Sequence, residues 1–138
     1  EALGPSSVVT LKRILGGGGQ CVVHQGVVGD VRIAVKKPAA QDDSLDTRRR
    51  LRWEAEVLHH IVKQGLPHCV GFLGYCSLRS ELYLPLLEWG GLRRALFQRQ
   101  VNQLKLVSCA MLGVLTGIAH LHKNGIAHRD IKLDNVLL

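Results

Sequence analysis

The chain has 138 residues, 46% of them apolar, with a formal net charge of +7 and a sequence pI of about 9.6; it can bury one core, or parts of two if it is cut from something larger. Much of the positive charge is local, as in Arg48-Arg49-Arg50-Leu51-Arg52, and the few aromatic residues are not interleaved with basic ones as a single-strand-binding platform requires, so no nucleic-acid partner is expected. Cys21, Cys69, Cys76 and Cys109 form no C-x-x-C pair, and no histidine falls at a metal-finger spacing from them, which excludes a zinc module and fits reduced thiols in a cytosolic protein.

The longest uncharged run, Leu106 to Ala119, is shorter than a bilayer requires and reads as a buried helix. No signal peptide is visible. The chain starts without a methionine and stops inside an apparent strand, so it reads as a fragment.

In chain order, Val8 to Leu15 reads as a strand that runs into Gly16-Gly17-Gly18-Gly19. Four glycines let the backbone turn sharply and bring its N–H groups close to phosphate oxygens, although a flexible linker has the same composition. Strands follow at Cys21 to Val28 and Val31 to Lys37, with Gly29-Asp30 as the tight turn between them. Pro38 ends the third strand, and Asp42-Asp43-Ser44 offers caps for a helix from Leu45 to Gln64, with Gly65 just past its end.

On that helix Leu51, Leu58 and Ile61 mark the inward face, and Glu54 lies on the same stripe. A carboxylate there calls for a cation. Lys36 is the candidate from elsewhere; the alternative is a surface pair with Arg50 one turn back. Glu56 reads as a surface residue.

Val70 to Ser77 and Leu82 to Leu87 read as two more strands around the polar turn Arg79-Ser80-Glu81, with Pro85 arguing for a bulge or break. A short helix from Leu92 to about Gln100 precedes a long one from about Asn102 to Lys123. In the long helix Leu104, Val107, Met111, Leu115, Ile118 and Leu121 form an apolar stripe, and Gly113 and Gly117 permit close packing. His120 and His122 could be metal ligands, but nothing supplies the remaining ligands.

The segment His128-Arg129-Asp130-Ile131-Lys132-Leu133-Asp134-Asn135 then gathers an acid that can accept a hydroxyl proton, a lysine that can neutralise a phosphate and an amide oxygen that can ligate a hard cation. Val136-Leu137-Leu138 reads as the start of a strand.

This last segment resembles the H-R-D-x-K-x-x-N catalytic loop of the protein kinases. Ile33-Ala34-Val35-Lys36 is similar to the family's V-A-I-K strand. Gly16, Gly18 and Val23 match its G-x-G-x-x-G-x-V loop, with Cys21 in place of the third glycine. Leu86 to Leu92 resembles the hinge. The resemblance covers the chain from Leu11 on, about the first half of a kinase domain. His-Arg-Asp-Ile-Lys and Leu73-Gly74-Tyr75-Cys76 are most similar to serine/threonine kinases of the tyrosine-kinase-like and plant receptor-like groups.

What the resemblance implies is an α+β kinase-like fold: a five-stranded antiparallel small lobe with one long helix in residues 1–89, and the first helices of the large lobe in residues 90–138. It implies ATP and Mg²⁺ as cofactors, a protein substrate phosphorylated on serine or threonine, and a cytoplasmic location, which the cytoplasmic part of a membrane receptor-like kinase would share. Asp130 would accept the hydroxyl proton and Lys132 steady the phosphate. Asn135 would hold Mg²⁺, and Lys36, braced by Glu54, would grip the inner phosphates. Leu15, Val23 and Ala34 would sandwich adenine, and the glycine loop of Gly16, Gly18 and Cys21 would lie over the phosphates. Leu87 would be the gatekeeper, and the backbone of Glu88, Trp89 and Gly90 would bond the base. Arg129 would dock a phosphorylated activation loop.

The Asp-Phe-Gly aspartate and activation segment would lie past Leu138. This chain alone is therefore expected to be inactive, with an exposed apolar face on its long helix. A kinase-like nucleotide-binding or scaffolding module without chemistry is the alternative reading.

Overall fold

The β-branched and glycine pattern of residues 10–38 folds as three strands, β1 (Thr10–Gly17), β2 (Cys21–Val28) and β3 (Val31–Pro38). Gly29 closes the second turn at φ +57°, a conformation glycine adopts without strain. Two short strands, β4 (Gly74–Cys76) and β5 (Glu81–Pro85), complete a sheet in the order β1-β2-β3-β5-β4, with every pair antiparallel. This computed structural model describes residues 2–98 and 102–138, and the chain divides into two units, Glu1–Gln64 with Val70–Leu86 and Gly65–Cys69 with Leu87–Leu138. The sequence reading puts that boundary after residue 89.

In the first unit, helix α1 (Leu45–Lys63) begins where the sequence marks it: the Ser44 hydroxyl accepts from the Thr47 N–H at 3.2 Å. Gly65 follows at φ +65°. The buried residues Leu51, Ala55, Leu58 and Ile61 recur three or four apart and face the sheet.

Because strand side chains alternate, the cross-strand pairs Val23↔Lys36 and Lys36↔Leu82 put those residues, with Ala34, on the α1 face. Ile33, Val35, Cys76 and Tyr83 form a buried apolar cluster on the opposite face, covered by Leu3, Val9 and Leu11. Gly26 makes that cover possible. A Cβ there would stand 2.6 Å from Val35 Cγ2 and 3.2 Å from Ile33 Cγ1 and Val9 Cγ1.

Three expectations are corrected here. β4 and β5 are shorter than the apolar runs suggest, since Val70 to Leu73 and Leu86-Leu87 lie outside the ladder. Pro85 makes no bulge but ends β5 opposite Ile33, where a missing N–H costs the ladder nothing further. The turn before β5 is not a solvated polar turn: Ser80 and Glu81 are buried.

In the second unit, α2 (Leu92–Gln98) is followed by α3 (Gln103–Lys123), capped by the Asn102 side chain, which accepts from the Lys105 N–H at 3.0 Å. The expected end of α2 at Gln100 lies outside the described residues. Residues 65–69 lie against α3, where a Cβ on Gly113 would come 3.3 Å from His68 Nδ1 and one on Gly117 3.2 Å from the His68 carbonyl oxygen.

The buried face of α3 is Ala110, Gly117 and Leu121. Of the predicted stripe, Leu104, Met111 and Leu115 are exposed, as is Leu112, which is the exposed apolar face expected of the long helix, while the buried reading of its uncharged run does not hold. At 21 residues, α3 as a whole is long and apolar enough to cross a membrane by length and composition alone, a test that the core helices of soluble proteins also pass.

Replacing Gly26 with alanine should destabilise the first unit by about 1–3 kcal/mol, because the new methyl overpacks a buried cluster. The shift in the midpoint of urea unfolding, followed by far-UV circular dichroism, measures it.

Candidate functional site

The first unit contributes a lysine held by a carboxylate. Lys36 sits on β3, between buried Val35 and half-buried Lys37, and the strand's alternation turns it toward α1. Its Nζ donates to both oxygens of Glu54, at 2.8 and 2.7 Å. The alternative partner is taken: Arg50 pairs with Asp46 at 2.8 Å. Glu56 pairs with Arg52 on the surface, as its position suggests.

Above this strand lies the glycine turn. The Gly18 N–H donates to the Cys21 carbonyl at 2.9 Å, closing the β1–β2 hairpin. Gly17, absent from the predicted site, is the glycine the backbone itself requires: a Cβ there would lie 2.9 Å from the Cys21 carbonyl oxygen. Gly16, Gly18 and Gly19 have nothing within 4 Å of a built Cβ, so that side of the loop is open.

Leu15 is the extra residue between the pairs Ile14↔His24 and Gly16↔Val23, a bulge that bends β1 at the turn. Val23 pairs with Lys36, and Ala34 shares its face. Cys21 is half-buried, and burial, partly offset by the charge of Lys36, raises its thiol pKa, so it is less thiolate than usual at neutral pH.

The second unit contributes an irregular, exposed segment, residues 124–132, ending in a single 3₁₀ turn at Leu133–Asn135. Arg129 takes φ +64°, a conformation that non-glycine residues adopt at a cost of about 1–3 kcal/mol. Its strained backbone separates His128 from Asp130, whose N–H donates to His128 Nδ1 at 3.3 Å.

Three of the predicted residues meet here. Asp130 Oδ2 accepts from Lys132 Nζ at 2.9 Å and from Asn135 Nδ2 at 2.8 Å, while Asn135 Nδ2 also donates to the Asp130 carbonyl at 2.8 Å. The hydrogen bond from Lys132, then that from Asn135, hold the Asp130 carboxyl below its usual pKa. Among the described residues, no hydrogen bond is made to Asp130 Oδ1 or Asn135 Oδ1. A carboxylate oxygen and an amide oxygen thus stay available, which fits a hydroxyl proton and a hard cation respectively.

Sequence reading misses what fastens this segment. Arg93 on α2 donates through Nε to Asp134 Oδ1 at 2.9 Å. The Leu92 N–H donates to the Val136 carbonyl at 2.7 Å, and Gly91 and Leu137 form an antiparallel bridge. The expected strand at Val136–Leu138 is therefore present only as this bridge. The opposite charges of Arg93 and Asp134, 41 residues apart, were the available signal, but without the fold nothing pairs them.

The hinge-like stretch also belongs to this unit. The Gly90 N–H donates to the Leu87 carbonyl at 3.1 Å, with Gly90 at φ +67°. The Trp89 N–H and the Gly90 carbonyl bond to Leu138 at 3.2 and 2.9 Å. The adenine-facing role that the resemblance gives Trp89 and Gly90 would require these bonds to open. Leu87 and Trp89 are exposed. Among the described residues no cluster of three metal-ligating side chains is found, and His120 uses its Nδ1 on the Thr116 carbonyl.

The protein kinase domain family matches residues 9–138. The chain is similar to the L-type lectin-domain containing receptor kinase V.7 of Arabidopsis thaliana, 32% identical over 144 residues, covering 92% of this chain and 20% of the relative. Receptor-like protein kinase THESEUS 1 of the same plant is 30% identical over 137 residues, 91% of this chain and 15% of the relative. A protein named as a probable LRR receptor-like serine/threonine-protein kinase, also from Arabidopsis thaliana, is 35% identical over 132 residues, 90% and 13% respectively. The chain thus spans 13–20% of the length of these curated relatives.

Replacing Lys132 with methionine should raise the pKa of the Asp130 carboxyl, since the lysine is the largest cause of its depression. Below the ordinary carboxylate range the variant's Asp130 will be protonated where the parent's is still ionised. A ¹³C NMR titration of the carboxyl carbon reads the difference directly.

Proposed function

The chain belongs to the protein kinase family, and from that premise we propose that the protein transfers the terminal phosphoryl group of ATP to serine or threonine hydroxyls of a protein substrate. The observation that carries the proposal is the bond from Lys36 Nζ to both oxygens of Glu54. A lysine braced in this way is a fixed point charge for phosphate oxygens. The names of relatives that include serine/threonine kinases support the hydroxyl class.

Protein kinases as a family use ATP and a divalent cation, and Mg²⁺ is the cation proposed here. Bound MgATP supplies the phosphoryl group and the counter-charge for its oxygens. The chain's own residues hold and move the rest. Asp130, through its open Oδ1, orients the substrate hydroxyl and takes its proton. Lys132, already 2.9 Å from Asp130, turns its remaining donors to the transferred phosphoryl oxygens. Asn135 offers Oδ1 to the cation while its amide nitrogen keeps Asp130 oriented.

Lys36 grips the inner phosphates, and the open side of Gly16 and Gly18 receives the outer ones, with Cys21 closing the loop. Leu15, Val23 and Ala34 form the apolar walls for adenine. Leu87 is the gatekeeper and Glu88 leads the hinge contact, with Trp89 and Gly90 joining once their bonds to Leu138 open. We place residues 1–89 in the small lobe and residues 90–138 at the start of the large lobe. We place the protein in the cytoplasm, as part of a receptor-like kinase, a reading that the names of the receptor-like relatives support.

The test is made in the full-length protein with Lys36→Met and Asp130→Asn. Each should lower kcat/KM by about 10³-fold or more, a loss typical of removing a group that acts in the transition state. Lys36→Met should also weaken ATP binding, whereas Asp130→Asn should leave it nearly unchanged. A biological activity of the protein left unchanged by both substitutions would reject the kinase reading in favour of a nucleotide-binding scaffold.

A further inference from the structure

The family match begins at residue 9, yet residues 3–7 are held against the sheet by contacts of their own. The Leu3 N–H donates to the Leu73 carbonyl at 2.7 Å, and Leu3 pairs in parallel with Gly74 at the outer edge of β4. Gly74 stands at φ +154°, and a Cβ there would run into the Leu3 backbone, with Leu3 N 2.7 Å away. The missing side chain is what admits the second backbone.

From the other side Arg79 reaches over. Its Nη1 donates to the Pro5 carbonyl at 3.1 Å and its Nη2 to the Ser7 carbonyl at 3.3 Å. The same guanidinium is anchored from below, Nε on Glu81 Oε2 at 2.9 Å and Nη2 on the Tyr83 hydroxyl oxygen at 2.7 Å. The Tyr83 hydroxyl in turn donates to Glu81 Oε2 at 2.8 Å, and Lys37 Nζ lies 3.9 Å from Glu81 Oε1. Glu81 and Tyr83 are buried, so the fork has little freedom to swing away. The phosphate-directed chemistry uses none of these groups.

We propose that the outer edge of β4 is an acceptor site for the chain's own N-terminal segment, which pairs there through Leu3, turns back at Gly4–Ser7 and is clamped in that turn by Arg79. The recognition chemistry starts as strand addition and ends in a turn: a backbone bond and bridge at Leu3, a Cβ-free approach at Gly74, and the Pro5 and Ser7 carbonyls, two residues apart, read by one guanidinium. Occupied, the edge is shielded from pairing with other chains. Leu3 also completes the apolar cover over Val35 and Tyr83.

Amide hydrogen exchange of the intact chain, read residue by residue by NMR, tests this. In the parent the Leu3 N–H should be protected. In Arg79→Ala it should exchange about tenfold faster or more, while the β2–β3 amides from Val22 to Val28 keep their protection. Should Arg79→Ala unfold the sheet, Arg79→Lys decides, because it keeps a positive charge beside Glu81 but has no fork to span Pro5 and Ser7; it should free Leu3 alone. A Leu3 amide unprotected in the parent, or equally protected in Arg79→Lys, would overturn the proposal.

Discussion

The alternation of side chains along β3 is the constraint from which the first unit follows. Ile33 and Val35 must enter one apolar cluster, so Ala34 and Lys36 must face the other way, toward α1. A slip of one residue would bury the lysine among Val35's neighbours and turn two β-branched side chains toward the helix. Lys36 therefore needs no special device to reach Glu54. The same packing that buries Ile33 and Val35 aims it there, and the helical spacing that buries Leu51 and Leu58 sets Glu54 opposite.

The second unit solves a different problem. Asp130, Lys132 and Asn135 lie within six residues, on a segment with almost no regular structure, where no repeat aims the side chains. The order there comes from polar bonds inside the segment and from fastening at its downstream end, where Asp134, Val136 and Leu137 meet Arg93, Leu92 and Gly91. The strain at Arg129 is consistent with a backbone held by its side chains rather than by a ladder.

These two modes explain what the sequence disclosed. Period-two and period-3.6 patterns are local, so β2, β3 and α1 could be read nearly to the residue, and with them the faces of Lys36 and Glu54. Strand ends could not be read: apolar runs at 70–73 and 86–87 look like strand but lie outside β4 and β5, with Leu73 alone bonding to Tyr83 at the edge of the ladder. The stripe on α3 was legible as apolar, and its exposure was expected only through the family resemblance, because burial depends on neighbours that a pattern does not name. Long-range polar pairs were the least accessible. Arg79, Glu81 and Tyr83 read as one more polar turn and strand, although the i, i+2 spacing of Glu81 and Tyr83 does put those two on one face of β5. Arg93 with Asp134 carried no local sign at all.

A division of labour follows from the energies. The Lys36–Glu54 pair leaves its side chains 28% and 39% exposed, and Arg93–Asp134 leaves 55% and 54%. Pairs so wet contribute no more than about 1 kcal/mol each to folding. The apolar clusters supply the greater share, at roughly 1.5–3 kcal/mol for each fully buried large side chain such as Val35 or Leu82. The charged groups proposed to meet phosphate are thus not the ones that keep the chain folded. Their bonds can be exchanged for bonds to a ligand at little expense to the sheet beneath them, and a lysine spanning two carboxylate oxygens can release one without losing its place.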